Sequence, residues 1–243
     1  MNRRHFLKKT SLTTAAIVTL PKTFFNQDDS ITINQLIGKG QPVLLGNGYK
    51  LLEEAHIAFK KLQKEALKSN IKIAAVSSYR SYSHQKRIWE RKYKSNNTKG
   101  LTPKANIKKI IEYSTIPGTS RHHWGTDIDI YQTNVKQPNS ILQPKNYHDN
   151  GSYCKLKEWM DTNASYFGFH LVYTDISNRK GFKYEPWHYS YKPLSQNFLK
   201  AYKKIDISKI LQNDNLLGSN YFTKEFINQY ITQNILDINP ELL

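Results

Sequence analysis

Ten consecutive residues, Ser120-Arg121-His122-His123-Trp124-Gly125-Thr126-Asp127-Ile128-Asp129, carry two histidines and two carboxylates. Farther along, Glu185-Pro186-Trp187-His188 sets an acid three residues before another histidine. Imidazole and carboxylate together suit a borderline divalent ion, zinc above all. A hydrolytic zinc site needs three protein ligands, one position open to water, and a carboxylate that takes a proton from that water. On this pattern His122, Asp129 and His188 are the candidate ligands of one Zn2+ ion, and Glu185 is the candidate base. Without its distant partner, the first stretch reads equally well as polar surface on a half-exposed strand.

These side chains converge only if the backbone beneath them is regular. Thr126 to Tyr131 alternates, so Asp127, Asp129 and Tyr131 share one strand face and Ile128 and Ile130 the other. The residues after Pro117-Gly118 form a loop that brings a histidine to the polar face. Upstream, a helix over residues 50–69 gathers Leu51, Leu52, Ala55, Phe59, Leu62 and Ala66 near one side. Residues 71–77 alternate as a strand that delivers Ser77-Ser78-Tyr79-Arg80. A guanidinium there offers permanent charge and fixed donors to the oxyanion of a hydrolysing amide. The competing role for Arg80 is a structural ion pair at a strand end.

The remaining pattern predicts helices over 84–93, 104–113, 154–166, 196–204 and 223–236, and a strand over 169–173. Pro186 calls for an edge or irregular strand. Residues 134–151 read as a polar surface insert, and 92–109 as a basic loop running into a short helix. Ile227, Ile231 and Ile235 recur every fourth residue, one apolar stripe for packing on a core.

Ser77-x-x-Arg80-x-x-x-x-Gln85, then Ser120-x-His122-x-x-Gly125-x-x-x-Asp129, then Glu185-Pro186-Trp187-His188 follow in that order within residues 45–193. The combination resembles the zinc D-alanyl-D-alanine carboxypeptidases of the vancomycin-resistance type, in a clan with lysostaphin-like endopeptidases and the hedgehog signalling domain. Three ordered motifs are specific where any one is weak. The resemblance implies an α+β fold, a small antiparallel sheet carrying the zinc site with helices packed against it. It implies a ligand at His122 rather than His123, and Arg80 on the scissile carbonyl or the substrate's carboxylate. It implies substrate contacts from Ser77 and Ser120, for Gln85 either a substrate contact or a buttress to the site, and peptidoglycan stem peptides as substrate, with a terminal D-alanine released.

The chain departs from the family at Asp127, where a small residue is usual. Asp127 is assigned to substrate binding; a partner orienting a ligand histidine and a replacement ligand are its alternatives. Two other functions stay open, cleavage of a peptidoglycan cross-link and a zinc-holding wall-binding module without turnover. Glu185 and Arg80 argue against the second, which needs neither.

The chain has 243 residues, 38% of them hydrophobic, and a formal charge of +17. One domain with appendages is the natural division. The charge suits attraction to an anionic envelope surface; no motif accompanies it that points to nucleic acid. The start, Asn2-Arg3-Arg4-His5-Phe6-Leu7-Lys8-Lys9, resembles a twin-arginine export signal. The apolar run that follows is too short for a permanent transmembrane helix. Export to the periplasm or cell envelope is therefore expected. A single cysteine, Cys154, excludes an internal disulfide framework. The divisions expected are an export signal at 1–25, a linker at 26–46, a zinc peptidase domain at 47–193 and a helical C-terminal extension at 194–243.

Overall fold

The computed structural model describes residues 31–212 and 215–243; the export signal expected over residues 1–25 lies outside them. Four strands, β1 (Ile73–Ser77), β2 (Asp127–Gln132), β3 (Phe169–Leu171) and β4 (His188–Tyr191), form one sheet in the order β1-β2-β4-β3. Every neighbouring pair is antiparallel. Ile128 and Ile130 of β2, with Trp187 and Tyr189, enter one apolar cluster. Asp127, Asp129, His188 and Ser190 therefore look the other way. Asp129 pairs with His188 across the ladder, and Asp127 with Ser190. A slip of one residue would turn both acids into the apolar cluster, so burial of the isoleucines fixes the register of the site.

Among the described residues the helices are α1 (Ile33–Leu36), α2 (Glu53–Lys68), α3 (Tyr82–Asn97), α4 (Pro103–Ile110), α5 (Cys154–Asn163), α6 (Lys192–Tyr202), α7 (Ile207–Gln212) and α8 (Lys224–Tyr230). Ala55, Phe59, Leu62 and Ala66 of α2 and Leu156 and Met160 of α5 pack with the isoleucine face of the sheet. A second cluster joins Trp89 of α3, Ile107 and Ile110 of α4 and Trp124 to Tyr202 of α6 and Tyr230 of α8. Tyr173 of this second cluster sets its ring edge-on to His188, with centroids 5.2 Å apart. The candidate site thus lies where the two clusters meet.

Several elements differ from expectation, each for a local reason. The helix predicted from residue 84 starts at Tyr82, because the Ser81 side chain caps it by accepting from His84 N. It runs to Asn97, through residues expected as loop. Pro193 lies in the first turn of α6, where no intrahelical donor is needed. The helix predicted over 154–166 stops at Asn163 and finishes as a 3-10 turn, Ala164–Phe167. The one predicted over 223–236 passes from α8 into a π-helical turn, Ile231–Ile235. Pro186 precedes an interior strand, since β4 lies between β2 and β3.

Two stretches expected at the periphery are packed. Leu36 and Ile37, in the supposed linker, are buried in the second cluster, and Trp124 Nε1 donates to Leu36 O at 3.2 Å. In the polar insert Tyr147 is buried, and its hydroxyl donates to Ile130 O at 2.8 Å. The burial of Leu36 and Ile37 is a tertiary contact with the second cluster, and Tyr147 stands among polar residues that show no periodic pattern.

Candidate active site

Three kinds of local structure deliver the candidate ligands. Residues 121–124 form one 3-10 turn that ends at Gly125, whose φ of 68° is left-handed. A Cβ at Gly125 would stand 2.9 Å from Leu44 Cδ2, so glycine lets the turn feed directly into β2. Asp129 projects from β2. His188 opens β4 after a turn in which its N–H donates to Glu185 O at 3.1 Å, and this brings the Glu185 carboxyl beside the imidazole.

Hydrogen bonds set the two rings in opposite senses. His122 Nδ1 lies 2.7 Å from Ser78 O. A carbonyl only accepts, so Nδ1 holds the proton and Nε2 the lone pair. His122 Nε2 is buried without a hydrogen-bond partner, 3.4 Å from Asp129 Oδ2. His188 Nε2 instead donates to Asp127 Oδ2 at 3.0 Å. Its Nδ1 faces Glu185 Oε2 at 3.0 Å and Asp129 Oδ1 at 3.8 Å. Asp129 Oδ1 is also buried and unpartnered. One ligand atom from each of His122, Asp129 and His188 lies within 4.8 Å of the others. Buried acceptors left unsatisfied at such closeness are costly unless a cation binds them, and the set fits zinc with one coordination position to spare.

Burial is the largest influence on each of these groups, and neighbours decide the balance. Burial and the charge of Arg80 hold His122 down at about 4, a neutral imidazole. Burial also opposes a charged His188, but the Asp127 hydrogen bond, the charge of Asp129 and the Glu185 hydrogen bond raise it to about 9. Burial pushes the Glu185 carboxyl above the usual range, against the pull of His188. Asp127 resists burial and stays well below that range, chiefly through Arg121 and then His188.

A cavity of about 580 Å³ opens onto these groups, and Ser77, Arg80, Ser120, His122, Asp129, Glu185 and His188 all line it. Arg80 Nη1 donates to Gln85 Oε1 at 2.8 Å, and Gln85 Nε2 donates to Thr115 O at 2.9 Å. Gln85 is fully buried and does not line the cavity, so its amide faces Arg80 rather than a substrate. Asp127 is likewise fully buried and away from the cavity wall. Its Oδ2 accepts from Arg121 Nε at 2.9 Å, and its Oδ1 from Ser190 Oγ at 2.7 Å and Thr126 Oγ1 at 2.8 Å. With every lone-pair direction engaged, Asp127 meets the candidate ligand His188 and has no carboxylate oxygen turned to the cavity.

His123 is separated from its neighbour. Its Nδ1 donates to Arg80 O at 2.6 Å, and its Nε2 accepts from Gly118 N at 3.1 Å. Gly38 comes so near that a Cβ there would sit 2.3 Å from His123 Nδ1.

The family model described as VanY, D-alanyl-D-alanine carboxypeptidase, matches residues 48–194, more than half of the chain. The chain belongs to the VanY family. A putative carboxypeptidase of Bacillus subtilis, YodJ, is 31% identical over 177 residues, which are 71% of this chain and 53% of that protein. A D-alanyl-D-alanine carboxypeptidase of Enterococcus faecalis is 29% identical over 116 residues, 47% of this chain and 38% of its own length. The chain therefore spans about half or less of these two relatives. The fold is similar to that of a zinc-complexed variant of the vancomycin-resistance D,D-pentapeptidase VanY, with a TM-score of 0.50 and 24% identity over 70% of this chain and 89% of that one.

Against the VanY pattern, Arg121 is the residue that sequence reasoning passed over. It lines the cavity, it is buried, and its guanidinium lies 4.7 Å from the Trp124 ring centroid. The signal available was Asp127 itself. A second acid on a buried strand face needs a cation, and Arg121 is the nearest one in sequence.

Proposed function

We propose that this protein is a zinc-dependent peptidase of peptidoglycan stem peptides that releases a terminal D-alanine. One observation carries the reading. The buried side-chain atoms without partners that line the cavity include two acceptors, His122 Nε2 and Asp129 Oδ1, and three donors, Arg80 Nε, Ser120 Oγ and Arg121 Nη1. The acceptors suit a cation and the donors an anion. A peptide's free end presents a carboxylate close to its last scissile carbonyl, and so supplies an anion for the donors.

His122 through Nε2, His188 through Nδ1 and Asp129 through a carboxylate oxygen would hold the ion. A bound Zn2+ supplies Lewis acidity to the carbonyl and acidifies its water. Glu185 takes a proton from the attacking water and returns it to the leaving amine. Arg80 donates to the oxyanion, and Gln85 holds its guanidinium in place from behind. Ser120 and Arg121 bind the substrate's carboxylate, and Ser77 borders the same wall. Asp127 keeps His188 in the tautomer that leaves Nδ1 free.

A stem-peptide enzyme works outside the cytoplasmic membrane. The Arg3-Arg4 pattern supports export by the twin-arginine route, and the charge of +17 supports attraction to an anionic envelope. No helix among the described residues is long and apolar enough to cross a membrane.

The test is mass spectrometry of muropeptides incubated with the purified protein, with zinc and with chelator. Pentapeptides losing one terminal alanine only when zinc is present is the expected result. Shortened tetrapeptides would shift the preference to an L,D bond, and dimers converted to monomers would make the protein a cross-link endopeptidase. No change on any species would overturn the reading.

A further inference from the structure

Two tyrosine hydroxyls from beyond the family-matched residues 48–194 grip the turn that leads into the 121–124 turn of the candidate site. Tyr230, at the end of α8, accepts from Ile116 N at 3.1 Å and lies 2.9 Å from Thr119 Oγ1. Thr119 gives its own hydroxyl proton to Ile116 O at 2.7 Å, so the Tyr230 proton goes to Thr119. Tyr202, at the end of α6, donates to Gly118 O at 2.8 Å. Gly118 N then donates to His123 Nε2, and His123 Nδ1 donates to Arg80 O. Arg80 N closes the series on His122 O at 3.0 Å. Tyr202, Tyr230, Ile116, Thr119 and His123 are all buried, where an unpaired donor or acceptor has no water to turn to.

We infer that Tyr202 and Tyr230 are positioning residues for hydrolysis, which hold the backbone of Arg80 and His122 through the 116–119 turn and His123. The inference rests on the roles proposed above for Arg80 and His122. Neither tyrosine lines the cavity. Removing a hydroxyl while keeping the ring leaves Ile116 N or Gly118 O unsatisfied and loosens the turn that His123 reads. The apolar packing of α6 and α8 is unchanged by that substitution, so a purely packing role predicts no effect on the site.

The experiment compares Tyr202→Phe, Tyr230→Phe and the double variant with the unaltered protein. Urea unfolding gives the global loss of stability. Amide hydrogen exchange on the metal-free proteins, resolved at Gly118 and Arg80, reads the relay without using activity. Exchange at both amides should rise about 10-fold beyond what the global change explains. In the zinc-loaded enzymes kcat on a pentapeptide should fall about 10-fold with KM little changed, since Arg80 acts on the oxyanion more than on the bound substrate. Faster exchange confined to Ile116, with Gly118 and Arg80 unaltered, would overturn the inference, as would a kcat unchanged per folded molecule. An unaltered protein inactive on every stem peptide would sink the proposed substrate, and the exchange measurements would still decide the relay.

Discussion

Asp127 holds His188 from behind, with Oδ2 at 3.0 Å from Nε2, while the opposite ring nitrogen faces Asp129 and Glu185. The acid that departs from the family pattern thus fixes which nitrogen is offered to an ion. Arg121 neutralises it from a second side at 2.9 Å, and the carboxylate is buried without being an isolated charge.

Asp127→Asn removes that charge and leaves Arg121 buried beside a neutral amide. Zinc affinity should fall about 10- to 100-fold, the usual effect of losing the partner of a ligand histidine. Unfolding free energy should drop by about 3 kcal/mol. Chelator-competition titration and urea unfolding check the two effects. Wild-type affinity in the variant would mean that His188 is oriented by its backbone turn alone.

Glu185→Gln keeps the shape of the side chain and loses its basicity. Turnover should fall about 10²- to 10⁴-fold, with one zinc still bound per chain. His188→Ala should lose turnover and metal together. Elemental analysis beside the muropeptide assay separates the two, and stoichiometric zinc in His188→Ala would refute its place as a ligand.

Arg80→Lys retains a charge but not the fork that Gln85 grips and the cavity receives. A drop in kcat of about 100-fold is expected, with a smaller change in KM. Gln85→Ala should reproduce part of that drop in steady-state kinetics. The reverse pattern, a large KM effect with kcat intact, would assign Arg80 to ground-state binding.

His123 makes acid stability testable. Burial comes first among its influences and, with the charge of Arg80, outweighs the hydrogen bond to the Arg80 carbonyl, holding the imidazole down at about 3. The geometry agrees, because a second ring proton would meet Gly118 N–H head-on. The unfolded chain takes up this proton below its ordinary pKa near 6.5, and the folded chain does not until about 3. Stability is therefore unaffected above that range and falls as pH drops through it. Between pH 7 and pH 5 the contribution is about 2 kcal/mol. Urea unfolding of metal-free protein at both pH values should show His123→Gln losing less stability on acidification than wild type by about that amount. Equal losses would show that another group governs the acid limb.

The candidate ligands could be proposed from sequence because each motif is a local matter of spacing. Alternation put Asp129 on the polar face of its strand, and spacing alone set Glu185 three residues before His188. His122 could be told from His123 only through resemblance; the structure separates them by which carbonyl each ring meets, Ser78 O or Arg80 O. Arg121 carried one signal, as the cation nearest Asp127 in sequence, but a 3-10 turn and a strand have different periods, so no single repeat relates the two residues. The burial of Tyr147, set among polar residues, had no local signal. The grip of Tyr230 on Ile116 spans 114 residues, a separation at which sequence pattern carries no geometric information.

That same separation has a consequence during synthesis. The four strands and the 121–124 turn are made before Tyr230, so the sheet's residues all exist while the 116–119 turn still lacks its last hydrogen bonds. Completion of the turn beside the candidate site is deferred until Tyr230 has been made. The candidate site is thereby finished only after every strand of its sheet has been made.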